Sequence, residues 1–417
     1  MNEFYSSCHD YVNDILGNLI EIEREDNNMS TFKPPFRADV VGSYLRPEYL
    51  HSARRDFAKG NISKDEFELI ENKAIIELIE KQKSAGLSVI TDGEFRRSWW
   101  HLDFMWGLNG VEKSILSKGY TFDGIETRPE TARLTGKISG ENHPFIQHFK
   151  FLLPFAEDNI VPRLTIPAPA QFFKELYRPE NRESTQQFYP EQEALMNDIA
   201  KAYQTFIIEL YQAGCRNLQL DDCTWGMMVD SRYHNSGIAE KHQHSSCDCH
   251  PNQTVISDNV KALAETLLTL NNQAVFDAPS DLVLTTHVCR GNYRSTWAAS
   301  GGYEPIAEVL FGRENVSAYY LEFDTDRAGD FSPLALVTQG KKVVLGLISS
   351  KTGELENKEK VIARIYEAAK YLPLEQLCLS TQCGFASTEE GNALSEQQQW
   401  DKIALVCEIA KEVWPAK

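Results

Sequence analysis

The chain has 417 residues, 42% of them hydrophobic, and a formal net charge of −18. That apolar share supports a substantial core, and the length accommodates two ordinary domains or one large barrel. The acidic balance argues against nucleic acid and anionic membrane surfaces as partners. Nine cysteines, an odd number spread along the chain, do not make a disulfide framework and suit a reducing compartment. No apolar run is long enough to span a membrane, and no basic segment leads into an apolar core. A cytoplasmic enzyme, monomer or homodimer, acting on small molecules is expected.

Residues 1–36 read as an acidic N-terminal extension. Glu3, Asp10, Asp14, Glu21, Glu23, Glu25 and Asp26 face only Arg24 in its first part. Tyr11, Val12, Ile15, Leu16, Leu19 and Ile22 recur at helical spacing, which predicts a short amphipathic helix. That helix either caps the bottom of a barrel or is an appendage, Met29 being an alternative start.

From residue 37 onward strands and helices alternate. Strands are predicted at 38–42, 87–92, 161–166, 217–222, 282–288, 317–323, 342–348 and 377–381. Helices are predicted at 63–85, 192–213, 361–371 and 396–413. Eight strands interleaved with helices predict an α/β fold, a TIM (β/α)8 barrel, spanning 37–417 as one catalytic domain. An open doubly wound sheet is the alternative, but no Gly-rich nucleotide fingerprint follows an early strand. Long insertions are expected after the second strand (97–160) and the fourth (223–255). Both would emerge on the rim where strands end, and so wall a site there. Arg96 and Arg97, at the start of the first insertion, suit a carboxylate or phosphate, or simple pairing with nearby acids.

Four metal-ligating residue types stand at the ends of late strands: His287, Cys289, Glu322 and Cys383. Two positions apart on a strand, His287 and Cys289 would point to one face. Two thiolates with an imidazole favour zinc over magnesium or calcium, which prefer oxygen. A carboxylate, the hardest donor of the set, is the one an incoming thiol would replace. The chemistry implied is activation of a thiol as nucleophile. A His-X-Cys pair by itself carries little weight, because cysteine is often buried as a small hydrophobe.

The wording around these residues resembles the catalytic half of cobalamin-independent methionine synthase and its short single-barrel relatives. His287-Val-Cys-Arg-Gly-Asn, the Glu322 strand and Cys383-Gly-Phe are similar to that family's zinc-binding segments, in the same order. Val41-Gly-Ser43, Thr91-Asp-Gly-Glu94 and Gln219-Leu-Asp221-Asp222 resemble its substrate-binding strand ends. The resemblance implies that Ser43 meets the homocysteine carboxylate, and that Glu94 and Asp221 hold the amino acid and its ammonium. It implies a Zn2+ cofactor, homocysteine as acceptor and a methylated folate as donor. Two departures are visible. Lys351 stands where the family carries a catalytic His, and the third-strand loop, Ile166-Pro-Ala-Pro-Ala-Gln, lacks the Trp expected under a pterin ring. The chain is also too short for the second barrel of the full-length enzyme.

The expected activity is therefore zinc-dependent methyl transfer to homocysteine, with Lys351 and Glu322 as catalytic candidates. The alternative is alkyl transfer between another donor, such as a corrinoid or a small methyl compound, and another thiol. A relative that binds zinc without turnover is a third possibility. His242, His244, Cys247, Cys249 and His250 form a second dense group, either a further zinc site or a polar loop. Cys215, Cys223, Cys378 and Cys407 read as core or loop cysteines without a role.

Overall fold

The computed structural model describes residues 33–230 and 258–415, together with residues 8, 9, 11–13, 15 and 17. Those few N-terminal residues are helical, and Val12 joins an apolar cluster that contains Ile70, Ile76 and Leu87. Met29 and the 242–250 His/Cys group lie outside the described residues.

In chain order the main elements begin with α1 (Glu48–Ala58), α2 (Lys64–Ser84) and β1 (Val89–Ile90). Then come α3 (Leu102–Gly107), β2 (Asn109–Ile115), β3 (Glu130–Ser139), β4 (Leu164–Pro167), α4 (Pro169–Leu176) and α5 (Gln192–Gln212). They are followed by β5 (Asn217–Asp221), α6 (Cys223–Met228), α7 (Asp258–Ala274), β6 (Val283–Val288), α8 (Ala307–Arg313) and β7 (Ala318–Glu322). Last are β8 (Lys342–Ile348), α9 (Lys358–Ala368), β9 (Leu377–Thr381) and α10 (Glu396–Val413). Helix α2 starts where the sequence says it should: Ser63 Oγ accepts from the Glu66 N–H, and the Glu66 carboxylate accepts from the Ser63 N–H.

Six strands form one parallel sheet in the order β9–β8–β7–β6–β5–β4. The run entering β4 also pairs, through Val161–Pro162, with β1. At the far edge Ala38 bridges Leu379 in parallel. No ladder forms between the 38–42 run and β1 among the described residues. Instead, the Tyr44 N–H reaches Gly93 O (3.2 Å) and the Thr91 hydroxyl donates to Gly42 O (2.6 Å). The first predicted strand is thus only a bridge. The reason is local: the Asp39 carboxylate accepts from the Phe36 and Val40 N–H groups and turns that backbone upon itself. Asp39 also pairs with Arg163 at 2.9 Å, and Arg163 donates to the Tyr320 hydroxyl, so fully buried polar bonds tie the first, third and sixth predicted strands together. The ladders describe an α/β fold built on a parallel sheet; by themselves they do not draw a closed eight-stranded ring.

Residues 97–160 hold α3 and the antiparallel pair β2–β3, packed into the same apolar cluster as α4, α5 and the sheet. The second expected insertion is described only as far as Asp230, and contributes α6. Among the described residues no helix is long and apolar enough to cross a membrane.

Candidate metal centre and substrate cavity

Register sets the site. Across β5 and β6 Asp221 is the partner of His287, and across β6 and β7 His287 is the partner of Tyr320. Cys289 follows the last residue of β6, and Cys383 follows β9 by two residues. Consequently His287, Cys289 and Cys383, all buried, bring their donor atoms within 4.8 Å of one another. Two sulfurs and an imidazole at that spacing fit a soft divalent cation.

The electrostatics point the same way. The Cys223 thiol and burial hold Cys289 well above the ordinary thiol range, and the Cys289 thiol and burial do the same to Cys383. Burial opposes charge on His287, yet Asp221 and Cys383 overcome it and raise the ring to about 10. Without a cation these groups keep their protons; a bound cation would displace them. His287 Nδ1 stands 3.2 Å from Asp221 Oδ1, and Nε2 lies 3.2 Å from Gln382 O. A carboxylate behind a ring nitrogen is the arrangement that orients metal-binding imidazoles.

Glu322 ends β7 and is fully buried, but its carboxylate is already engaged. The Arg290 backbone N–H donates to Oε2 (2.8 Å) and the Arg327 guanidinium holds Oε1. Burial alone would raise its pKa, but Lys351, Arg290 and Arg327 together bring it down to about 2. Glu322 does not join the three-residue donor cluster. Lys351 is buried, its ammonium has no hydrogen-bond partner among the described residues, and it acts on Glu322 through charge.

A cavity of about 450 Å³ opens over the three donors. Ser43, Glu94 and Asp221 all line it, whereas Glu322 and Lys351 do not. Glu94 sits at φ +62°, directly after Gly93 at φ +65°. A carboxylate residue in this sparsely populated region is a strained placement that aims its side chain inward. Thr165 donates to Glu94 Oε1 (2.8 Å) and Arg97 approaches the same oxygen (3.3 Å). Oε2 is buried without a hydrogen-bond partner among the described residues. Burial lifts the carboxyl to about 7, against the pull of Arg97. Ser43 lies against Gly384: a Cβ at 384 would come 1.9 Å from Ser43 Oγ.

The far wall is aromatic and comes from the first insertion: Trp99, Trp100, His101, Tyr120 and Phe122. The Trp99 indole donates to Glu130 (3.1 Å), and the Tyr120 hydroxyl donates to Glu175 (2.6 Å). Burial depresses His101 to about 3, so its ring is neutral. Lys174 lines the same side, and burial brings it down to about 8. Arg97 is buried and bound to Glu94 and Thr165 O rather than lying at the surface. Arg96 pairs with Glu71 and Asn72 away from the cavity.

Sequence reasoning missed one residue. Cys223, read as a cysteine without a role, lines the cavity with its sulfur 3.0 Å from Cys289 Sγ. Its signal was its place directly after the Asp221-Asp222 strand end, on the same rim as the other donors.

Residues 36–135 match the family described as the cobalamin-independent synthase, catalytic domain. The Bacillus subtilis protein YxjH, itself uncharacterized, is 44% identical over 383 residues, which cover 92% of this chain and 96% of that protein. A crystal structure from Listeria monocytogenes, provisionally assigned as a vitamin-B12-independent methionine synthase, superposes with TM-score 0.68 at 38% identity. That alignment covers 92% of this chain and 99% of the Listeria chain. A B12-independent methionine synthase from a Shewanella species, solved with selenomethionine, shares the fold at TM-score 0.66 and 20% identity, over 90% of this chain and 97% of its own.

Proposed function

We propose, from the premise that this chain belongs to the cobalamin-independent methionine synthase family, that it transfers a methyl group to the thiol of homocysteine with the help of zinc. The observation that carries this reading is the buried His287–Cys289–Cys383 cluster on the floor of a cavity that also presents Ser43, Glu94 and Asp221. In this reading the parallel sheet belongs to a (β/α)8 barrel over 37–417, with the site at its strand ends.

A zinc ion held by His287, Cys289 and Cys383 would supply a soft Lewis acid that keeps a thiol deprotonated near neutral pH. The remaining work falls to the chain. Glu94, with one buried oxygen that has no hydrogen-bond partner among the described residues, and Asp221 receive the amino-acid ammonium, while Ser43 meets the carboxylate. So anchored, the homocysteine sulfur attacks the donor's methyl carbon. The new C–S bond forms as the donor's bond to that methyl breaks, and a proton is taken up by the departing donor. Asp221 also holds the His287 ring in place. Glu322, expected as fourth ligand and catalytic residue, has its oxygens held by Arg327 and the Arg290 N–H and does not line the cavity. Lys351 lies outside the cavity lining, so its charge acts by way of Glu322 rather than on the donor directly.

The aromatic wall of Trp99, Trp100, Tyr120 and Phe122 offers a flat donor such as a methylated folate the stacking surface that the third-strand loop lacks. The same departure favours a second reading, in which a corrinoid or a small methyl compound is the donor.

Thiol activation has a direct test. Mixing homocysteine with the zinc-loaded protein in weakly buffered solution near pH 7.5 should release close to one proton per site. Cys383→Ser protein should release none. Equal release from both proteins would reject thiol activation at this site.

A further inference from the structure

Two long basic side chains, Lys174 and Arg178, reach the cavity from α4 and the turn after it. Arg178 pairs with Glu175 (3.4 Å) and Glu180 (3.8 Å) and lies over the Tyr120 ring at 4.2 Å. Glu175 in turn accepts from the Tyr120 and Thr131 hydroxyls. Lys174, next to Glu175 in the chain, stays outside that network. It is half-buried, and its ammonium has no hydrogen bond or ion pair among the described residues. Burial brings it down to about 8, with no carboxylate offsetting the cost. A cation left uncompensated in a cavity wall gains most from an anion that arrives with the ligand. Gln171, three positions earlier on α4 and also in the lining, sets an amide on the same helix face.

The aromatic wall beside Lys174 could in principle serve the opposite charge. Rings around a pocket suit a methylated cation, a sulfonium or a quaternary ammonium, through their negative faces. Here two of those rings already carry a cation: the Arg178 guanidinium lies over Tyr120, and the Arg128 guanidinium lies over Trp99 at 4.9 Å. With those guanidiniums in place and Lys174 uncompensated, this side of the cavity repels a further positive charge.

We propose that Lys174 selects the charge of the methyl donor: it pairs with a carboxylate carried by a flat donor stacked on the aromatic wall, and turns sulfonium and quaternary ammonium donors away. The inference rests on the reading that this cavity receives a methyl donor, and adds the residue by which it tells donor classes apart. The acids that receive the amino-acid ammonium, Glu94 and Asp221, and the base that receives the donor's carboxylate then give the two substrates opposite anchors.

Calorimetric titration of the zinc-loaded full chain with folic acid, and with its diamide in which both carboxyls are amidated, reads this preference on the wild type without turnover. The acid should bind about tenfold tighter than the diamide, or more. Lys174→Met should erase that gap by weakening the acid alone, and Lys174→Arg should keep most of it. Trimethylsulfonium should give no binding heat. Equal binding of acid and diamide, binding of neither, binding of the sulfonium, or a Lys174→Met protein that loses affinity for homocysteine instead would overturn the proposal. The acid–diamide gap can be present while the proton release on adding homocysteine is absent; the fault then lies with the thiol reading and not with Lys174.

Discussion

Asp221 and His287 face each other in register on adjacent parallel strands, with Asp221 Oδ1 3.2 Å from His287 Nδ1. The same oxygen accepts from Gln219 Nε2 at 2.8 Å, so the carboxylate is fixed before any ligand arrives. In the proposed reading one side chain thereby serves both metal and substrate. Asp221→Asn should weaken zinc binding 10- to 100-fold or so, the usual cost of losing a carboxylate behind a metal-binding His. Competition against a chromophoric chelator measures this. At saturating zinc the same variant should still show a raised KM for the amino acid. If zinc affinity stays the same, Asp221 is a substrate residue only.

Glu94 predicts a pH dependence. Its carboxyl is lifted by burial to about 7 from an ordinary 4.5, and only the ionised form attracts an ammonium. Apparent affinity for the amino acid should therefore rise between about pH 6 and pH 8. In Glu94→Gln that slope should vanish and affinity should be low throughout. The stability effect runs the other way. A folded-state pKa raised above the unfolded one contributes stability below about pH 4.5 that is lost as the pH rises through 7, a swing of about 3 kcal/mol at most. Glu94→Gln should thus gain stability relative to the wild type on going from pH 5 to pH 8, as urea unfolding would read. A parallel pH profile for the two proteins would show that Glu94 is charged throughout.

Much of this was visible in the sequence, and the limits have physical causes. Short runs bounded by polar or turn residues, such as 342–348 and 377–381, and the capped helix 396–413 appear at their predicted bounds. The 38–42 strand did not, because Asp39 spends its carboxylate on its own backbone. The donors His287, Cys289 and Cys383 were readable from their strand-end positions. The engagement of Glu322 was not, because Arg327 lies on the short 3-10 turn (Asp326–Ala328) after β7, and sequence spacing says nothing of where such a turn folds back. The approach of Cys223 to Cys289 escaped notice because it depends on Gly226 allowing α6 to touch that strand end, a contact between segments far apart in the chain.

Arg327 carries a structural prediction. Its guanidinium holds a fully buried carboxylate, and removing one partner of such a pair leaves an uncompensated charge. Arg327→Met should cost on the order of 3 kcal/mol, softened by the remaining Arg290 N–H and the nearby Lys351. Thermal unfolding of the metal-free proteins measures it. Arg327→Met with Glu322→Gln should recover most of the loss; no recovery would mean that Arg327 stabilises through its packing on Trp297 instead.

Gly384 separates substrate binding from metal binding. A methyl group at 384 would drive Ser43 Oγ out of place. Gly384→Ala should raise the KM for the amino acid by tenfold or so, equivalent to about 1.4 kcal/mol, while the zinc content stays at one per chain. An unchanged KM would remove Ser43 from the substrate site.

Methyl transfer itself is tested by methionine formation from homocysteine with the zinc-loaded protein. Methylated folates, with one and with several glutamates, and methylcobalamin would be offered in parallel, and Cys383→Ser would serve as control. Methionine from at least one donor, absent with Cys383→Ser, is the expected result, and the donor that works identifies the second substrate. No methionine from any donor by a protein that holds its zinc and releases a proton on binding homocysteine would contradict the assignment and point to another methyl donor or another thiol.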